Sequence, residues 1–210
     1  MQNRVTPWGT IIATPERGTL MGNRGCLHDD RERIVRQWQR KAWVTCLLEF
    51  KGRRRAVMSP GRYTELFFLD EATAMAAGHR PCGTCRRDKF RQFTELWIDA
   101  NPALVPSRRG RTTAIDDVLH GERVDERGRK RIHPAMMGDL PVGTMVVVPG
   151  ENQPLLVGED CVFEWNPSGY RPGSARLPRE TPVAVLTPPS VVNVLRAGYR
   201  PLLHPSARLR

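Results

Sequence analysis

The segment Cys82-Gly83-Thr84-Cys85 constrains this chain more than any other. A Cys-x-x-Cys turn sets two sulfurs about 3–4 Å apart, one edge of a tetrahedral zinc site. Gly83 lets the turn close, and the helix expected after it aims amide N–H groups at the sulfurs. Arg80, Arg86 and Arg87 add positive charge that favours thiolates. A redox dithiol would sit between a strand and a long helix within a βαβ unit. Here a helix is expected before the motif, so half of a zinc site is the better reading, ahead of a redox pair or free structural thiols.

A closed zinc site needs two further ligands. The other cysteines are Cys26, Cys46 and Cys161. Cys46, at the end of an expected strand, is the natural third ligand. The fourth is His28 or Cys26, both in the segment Gly25-Cys26-Leu27-His28-Asp29-Asp30. A thiolate is the softer ligand, whereas His28 has Asp29 and Asp30 beside it to orient its ring. His79, a carboxylate or a water remain further choices. Cys161, among apolar neighbours, reads as a core thiol. The cysteine count is odd and the first residues lack the apolar stretch of an export signal, so a disulfide scaffold is a poor reading and a cytoplasmic location is expected. No stretch approaches the roughly 18 apolar residues of a membrane span.

The patterning predicts an α+β fold. Trp8–Ala13 reads as a strand. Trp43–Phe50 and Ala56–Met58 read as a hairpin around the basic turn Arg53-Arg54-Arg55. Leu66–Leu69 is a further strand. Asp70 suits an N-cap for a helix over residues 71–77 closed by Gly78. A second helix is expected over 88–100, with Phe90, Phe93, Leu96 and Trp97 on one face. Residues 101–135 read as a charged linker containing a short helix at 114–124. After residue 136 the texture becomes short β segments at 144–148, 155–157, 161–165 and 183–186, then a helix at 191–196. The expected organisation is a zinc-knuckle domain over 1–100 with a hairpin and two helices, the linker over 101–135, and a small β-rich unit over 136–210. Trp165 and Tyr170 read as anchors of a turn on the core.

The chain has 33 basic and 22 acidic residues, a net charge of +11. The excess is uneven: residues 1–60 carry 12 basic and 5 acidic side chains, and residues 136–210 carry 7 and 6. Such a balance points to a polyanion, most simply nucleic acid. Arg53, Arg54 and Arg55, with Arg80, Arg86, Arg87 and Lys89 around the knuckle, are the residues expected to make one phosphate-binding face.

The run Phe67-Phe68-Leu69-Asp70-Glu71-Ala72-Thr73-Ala74-Met75-Ala76-Ala77-Gly78-His79-Arg80-Pro81-Cys82-Gly83-Thr84-Cys85-Arg86 resembles the second half of the Ada-type zinc domain of bacterial alkylation-response proteins. The likeness covers about 20 residues strongly and reaches back weakly to Cys46. It implies Zn²⁺ on Cys82 and Cys85, with Cys46 matching the family's first cysteine. It also implies a DNA partner and a role in DNA repair or its regulation. In that family a zinc-bound cysteine accepts a methyl group from a DNA phosphotriester. Two departures stand out: Phe50 occupies the position of the family's next cysteine, and His79 replaces an aromatic residue.

The leading expectation is therefore a zinc-stabilised nucleic-acid-binding protein. A second is an enzyme acting on DNA. It would be either an alkyl acceptor through Cys46 or a metal-dependent nuclease using His28 and Asp29 or His120 and Glu122. The nuclease version draws on the polar set Asp116, Asp117, His120, Glu122, Arg123 and His133. A third is a zinc-stapled protein-interaction module. Phosphate-loop, dinucleotide and serine-hydrolase motifs are absent from the sequence.

Overall fold

The computed structural model describes residues 1–52, 56–104, 111–175 and 177–207. It is an α+β protein with two six-stranded sheets and four α-helices. Arg53, Arg54 and Arg55 lie outside the described residues. Among those described, no helix is long and apolar enough to cross a membrane.

The first sheet is mixed and built from short strands: β1 (Gln2–Val5), β2 (Ile11–Ala13), β3 (Leu20–Asn23), β4 (Val44–Cys46), β5 (Leu66–Phe68) and β6 (Arg80–Pro81). Their order is β2-β1-β5-β3-β4-β6, with β1·β5 and β4·β6 parallel. Among the described residues, no strand of the expected hairpin at 56–58 pairs with β4. β4 pairs instead with β3, antiparallel, and with β6, parallel. Gly22 explains part of this choice: a Cβ there would collide with the Val44 carbonyl and sit 2.9 Å from the Phe68 ring. Only glycine lets β3 lie that close to β4.

α1 (Glu71–Ala76) begins as its sequence predicts. Asp70 caps it, accepting from the Thr73 amide at 2.9 Å. Gly78 follows it at φ +86°. α2 (Arg87–Ala100) buries Phe93 and Trp97. Residues 101–135 are more than a linker, because α3 (Arg111–Arg123) spans much of them and packs Ile115 and Leu119 into the core.

The second sheet comprises β7 (His133–Met136), β8 (Met145–Val147), β9 (Leu155–Val157), β10 (Cys161–Asn166), β11 (Gly169–Ala175) and β12 (Pro182–Val185). It is antiparallel, in the order β11-β10-β9-β8-β12-β7. Strands β8 to β11 run as consecutive hairpins, so local pattern suffices to place most of them. α4 (Pro189–Arg196) then returns to the helices.

Helix α1 and its neighbours join the two halves through shared core clusters. Leu69, Ala72 and Ala76 pack with Met145, Leu156 and Phe163. Met75, Phe93 and Trp97 pack with Ile115, Leu119, Val191 and Tyr199. Asp70 clamps the parts at a polar point. Fully buried, it accepts from Thr73, from the Tyr170 hydroxyl at 3.2 Å and from the His204 amide at 3.1 Å. Trp165 donates to Thr73 beside it. Both aromatics are thus the anchors their sequence suggests, and Cys161 lies in the apolar core.

Candidate metal centre

The register of two strands builds the site. β4 and β6 run parallel with Val44 opposite Arg80 and Thr45 opposite Pro81. The next residues on each chain are Cys46 and Cys82, so the pairing itself sets their sulfurs side by side. The Cys82 amide donates to the Thr45 carbonyl at 2.9 Å and continues the ladder by one bond. The turn Cys82-Gly83-Thr84-Cys85 then brings a third sulfur back, closed by the Arg86 amide donating to the Cys82 carbonyl at 3.0 Å. The ligand atoms of Cys46, Cys82 and Cys85 lie within 4.8 Å of one another. Zinc with Zn–S bonds of about 2.3 Å needs its sulfurs roughly 3.8 Å apart, a separation inside that bound. The three cysteines can therefore hold a metal ion such as zinc.

Arg86 holds the turn in place. Its guanidinium pairs with Glu71 at 2.9 Å and donates to the Thr45 hydroxyl at 3.0 Å, tying knuckle, helix and strand together. Glu71 is fully buried and also accepts from the Tyr199 hydroxyl at 2.7 Å and the Leu202 amide at 2.8 Å. Every oxygen of that carboxylate is occupied, as a buried charge requires.

The sulfurs share their protons unequally. Cys82 is drawn down to about 4, first by the hydrogen bond it accepts from Cys46 and then by the amides of Cys85 and Thr84. Cys46 is pushed up because it is the donor in that bond and because it is buried. Burial raises Cys85, against the amide of Leu47 that donates to it. Amides aimed at sulfur are the supporting bonds a thiolate–metal site uses.

The centre opens on a cleft of about 330 Å³. Its walls are Met21, Val44, Leu47, Leu48 and Phe67, with Asn23 and Glu65 as polar members. The Glu65 carboxylate accepts from the Met58 amide at 2.8 Å. Among the described residues, no fourth Cys, His, Asp or Glu joins the cluster.

His28, a proposed fourth ligand, lies elsewhere. Its ring bonds Thr64 Oγ1 at 2.6 Å and the Ser59 carbonyl at 3.3 Å, so it staples two loops. Cys26 does not reach the cluster either, and its sulfur lies 3.7 Å from the His28 carbonyl. His79 is buried between Phe68 and Trp43, at ring distances of 4.7 and 5.2 Å. It fills the aromatic's place in packing. Burial, with Arg24 and Arg123 nearby, holds it well below its ordinary pKa and therefore neutral.

The basic residues around the knuckle do not form one exposed face. Arg80 is buried and grips Asp116 through two bonds of 2.8 and 2.7 Å. Arg86 is committed to Glu71. Lys89 donates to the Arg200 carbonyl at 3.1 Å, and Arg87 is exposed. The polar set proposed for hydrolysis is likewise dispersed. Asp116 serves Arg80, Asp117 pairs with Lys41, and Glu122 accepts from Ser190 at the start of α4. His133 bonds the Thr187 carbonyl, and Asp29 binds Arg33 within its own turn.

Sequence reasoning missed Glu71 and Thr45 as the supports of the knuckle. Their signal is the parallel register of β4 and β6, which no local pattern contains. No protein-family model matches this chain, no curated protein matches it, and no solved structure matches it.

Proposed function

We propose that this chain is a zinc-thiolate protein that acts on nucleic acid, with DNA the favoured partner, and that its sulfurs accept an alkyl group. The observation that carries the reading is the convergence of Cys46, Cys82 and Cys85 at the edge of a cleft, with no fourth ligand among the described residues. Sites that only staple a fold close all four positions with protein, whereas reactive sites leave one open. Zinc bound there keeps the thiols deprotonated at neutral pH. Apolar residues such as Leu47 and Leu48 line the cleft beside the sulfurs. Both are also 40% exposed or more, as a surface that meets a partner would be.

The partner reading rests on the net charge of +11 and on the Ada-type resemblance of residues 67–86. Exposed Lys51, Arg62 and Arg87 adjoin or lie near cleft residues Phe50, Tyr63 and Cys85 in sequence. In the transfer step a cysteine thiolate attacks the methyl carbon of a phosphotriester. The S–C bond forms, the O–C bond breaks, and the phosphodiester leaves with the electron pair. Cys46 is the first candidate acceptor, by its place in the resemblance.

Elemental analysis of the full chain is expected to give one zinc, lost in Cys82→Ser. After incubation with DNA carrying methyl phosphotriesters, peptide mass mapping is expected to find one methyl group on a cysteine. A folded, zinc-free protein overturns the reading. Zinc without methyl transfer removes the acceptor role. Failure to retain DNA or RNA at ~50 mM salt removes the nucleic-acid partner, since phosphate contacts are strongest at low salt.

A further inference from the structure

A second cleft, of about 490 Å³, lies beyond the other end of β4. Trp8, Trp38 and Trp43 line it together with Arg24, Arg123 and Lys130. Arg24 and Arg123 are each 1% exposed and stack on Trp43, with guanidinium carbons 4.0 and 3.8 Å from its ring centroid. The Lys130 ammonium donates to the Ala76 carbonyl.

The charge of this cleft is not balanced. Its lining contains no Asp or Glu. Asp116, the acid that acts on Arg123, is already held by both arms of Arg80. Arg24 donates to the Gly9 carbonyl at 3.0 Å and to His79 at 3.3 Å, which is neutral. Arg123 donates to the carbonyls of Gly78 and Lys41. Arg24 Nη2 and Arg123 Nε are buried with no partner at all. A guanidinium keeps its proton inside a protein, so both charges persist there. Buried charges of one sign with orphaned donors are destabilising unless an anion meets them.

The remaining walls specify more than charge. Trp38 is half-buried and is held by Gly128, where a Cβ would meet its ring at 2.7 Å. Gln37 and Asn152 add amide groups able to donate and accept. Up to three cations suit a phosphate monoester better than a carboxylate. A flat wall with amides beside it suits a nucleobase.

We propose that this cleft binds a nucleoside monophosphate unit, its phosphate on Arg24, Arg123 and Lys130 and its base against Trp38. The unit is a free nucleotide or one nucleotide of a strand, and the chemistry of recognition is the same for both. The site is separate from the three sulfurs and does not depend on metal.

Tryptophan fluorescence and calorimetry on the full-length protein test it. The probes are adenosine and guanosine 5′-monophosphate, unphosphorylated adenosine, inorganic phosphate, and a short single-stranded oligonucleotide with a 5′-phosphate. A monophosphate is expected to quench the tryptophans and to bind at least about tenfold tighter than inorganic phosphate, the margin of one base stack. Adenosine is expected to bind weakly. Trp38→Ala is expected to remove the tenfold margin and Lys130→Met to weaken every phosphate ligand. Competition between oligonucleotide and mononucleotide assigns the site to a strand; binding of mononucleotides alone assigns it to the free ligand. Absence of binding by every monophosphate and by the oligonucleotide at millimolar concentration overturns the proposal. So does equal affinity for inorganic phosphate and nucleotide.

Discussion

Strand β4 serves two clefts with opposite needs. At its end, Cys46 joins Cys82 and Cys85 in a group of thiols that can hold a cation. Before its start, Trp43 carries Arg24 and Arg123, a group of cations that is complete only with an anion. Two other buried arginines are neutralised internally: Arg80 has Asp116 and Arg86 has Glu71. The difference separates arginines that hold the fold from arginines that are kept available. Sequence cannot make that separation, because all four are arginines and only the fold sets their partners.

Arg86→Ala should break this picture with the largest effect. Removing one partner of a buried pair leaves the Glu71 charge without a cation, held only by the Tyr199 hydroxyl and the Leu202 amide, at a cost of about 3–5 kcal/mol. Thr45 loses its bond as well, so the knuckle loosens on β4. Chemical denaturation is expected to show that loss, and zinc affinity is expected to fall with it. A small stability change with reduced DNA binding would instead restore Arg86 to a phosphate-contacting role.

How much of this was legible follows from how local each feature is. α1 was readable because Asp70 and Gly78 mark its ends within nine residues. β8 to β10 were readable because each pairs with its sequence neighbour. The mixed sheet was not, because β1·β5 and β4·β6 pair across 63 and 36 residues, as the partners Arg4–Phe67 and Val44–Arg80 show. Within the metal centre, Cys82 and Cys85 are a spacing and Cys46 an expectation of strand end, and the three do meet. The choice of His28 failed to find support because a fourth ligand was assumed to exist. The second cleft escaped because Arg123 and Lys130 sit in a run so charged that it reads as exposed. Arg123 is instead threaded under Gly78, and the Lys130 ammonium reaches the Ala76 carbonyl.

Gly78→Ala should separate the clefts with a middle-sized effect. Gly78 has φ +86°, and a Cβ there would run into the Arg123 side chain. The left-handed conformation alone costs alanine about 1–2 kcal/mol, and displacement of Arg123 adds to it. Thermal unfolding is expected to shift down and nucleotide binding to weaken, with zinc content unchanged. Equal loss at both clefts would show that they are one cooperative unit.

The pH dependence of the protein without anion tests the same charge imbalance. Burial, then Arg24 and Arg123, lower Lys130 to about 7. His79 also faces it, neutral, and the Ala76 carbonyl accepts from it. A lysine depressed in the fold is protonated first in the unfolded chain. Stability therefore falls as pH drops from the ordinary lysine range toward 7, and the penalty is full below 7. Wild type should gain stability from pH 7 to 9 relative to Lys130→Met measured alongside, with the cysteine contributions common to both. A saturating nucleotide should shrink that difference. Parallel curves for the two proteins would show that the Lys130 charge is already balanced.

Arg87→Ala carries the smallest expected effect on the fold and the sharpest bearing on the partner. Arg87 opens α2 next to the knuckle, and it is exposed, unlike Arg80 and Arg86. A solvated surface arginine should change stability by no more than about 0.5 kcal/mol. If the metal cleft meets nucleic acid as proposed, its guanidinium is placed to neutralise one phosphate. Removing it should then lower the slope of log affinity against log salt by about one, uniformly across sequences. An unchanged slope would move the phosphate contacts away from the knuckle. The polyanion signal of the N-terminal residues would then have to act through the tryptophan-lined cleft, where the charges are buried and a salt dependence would be shallow.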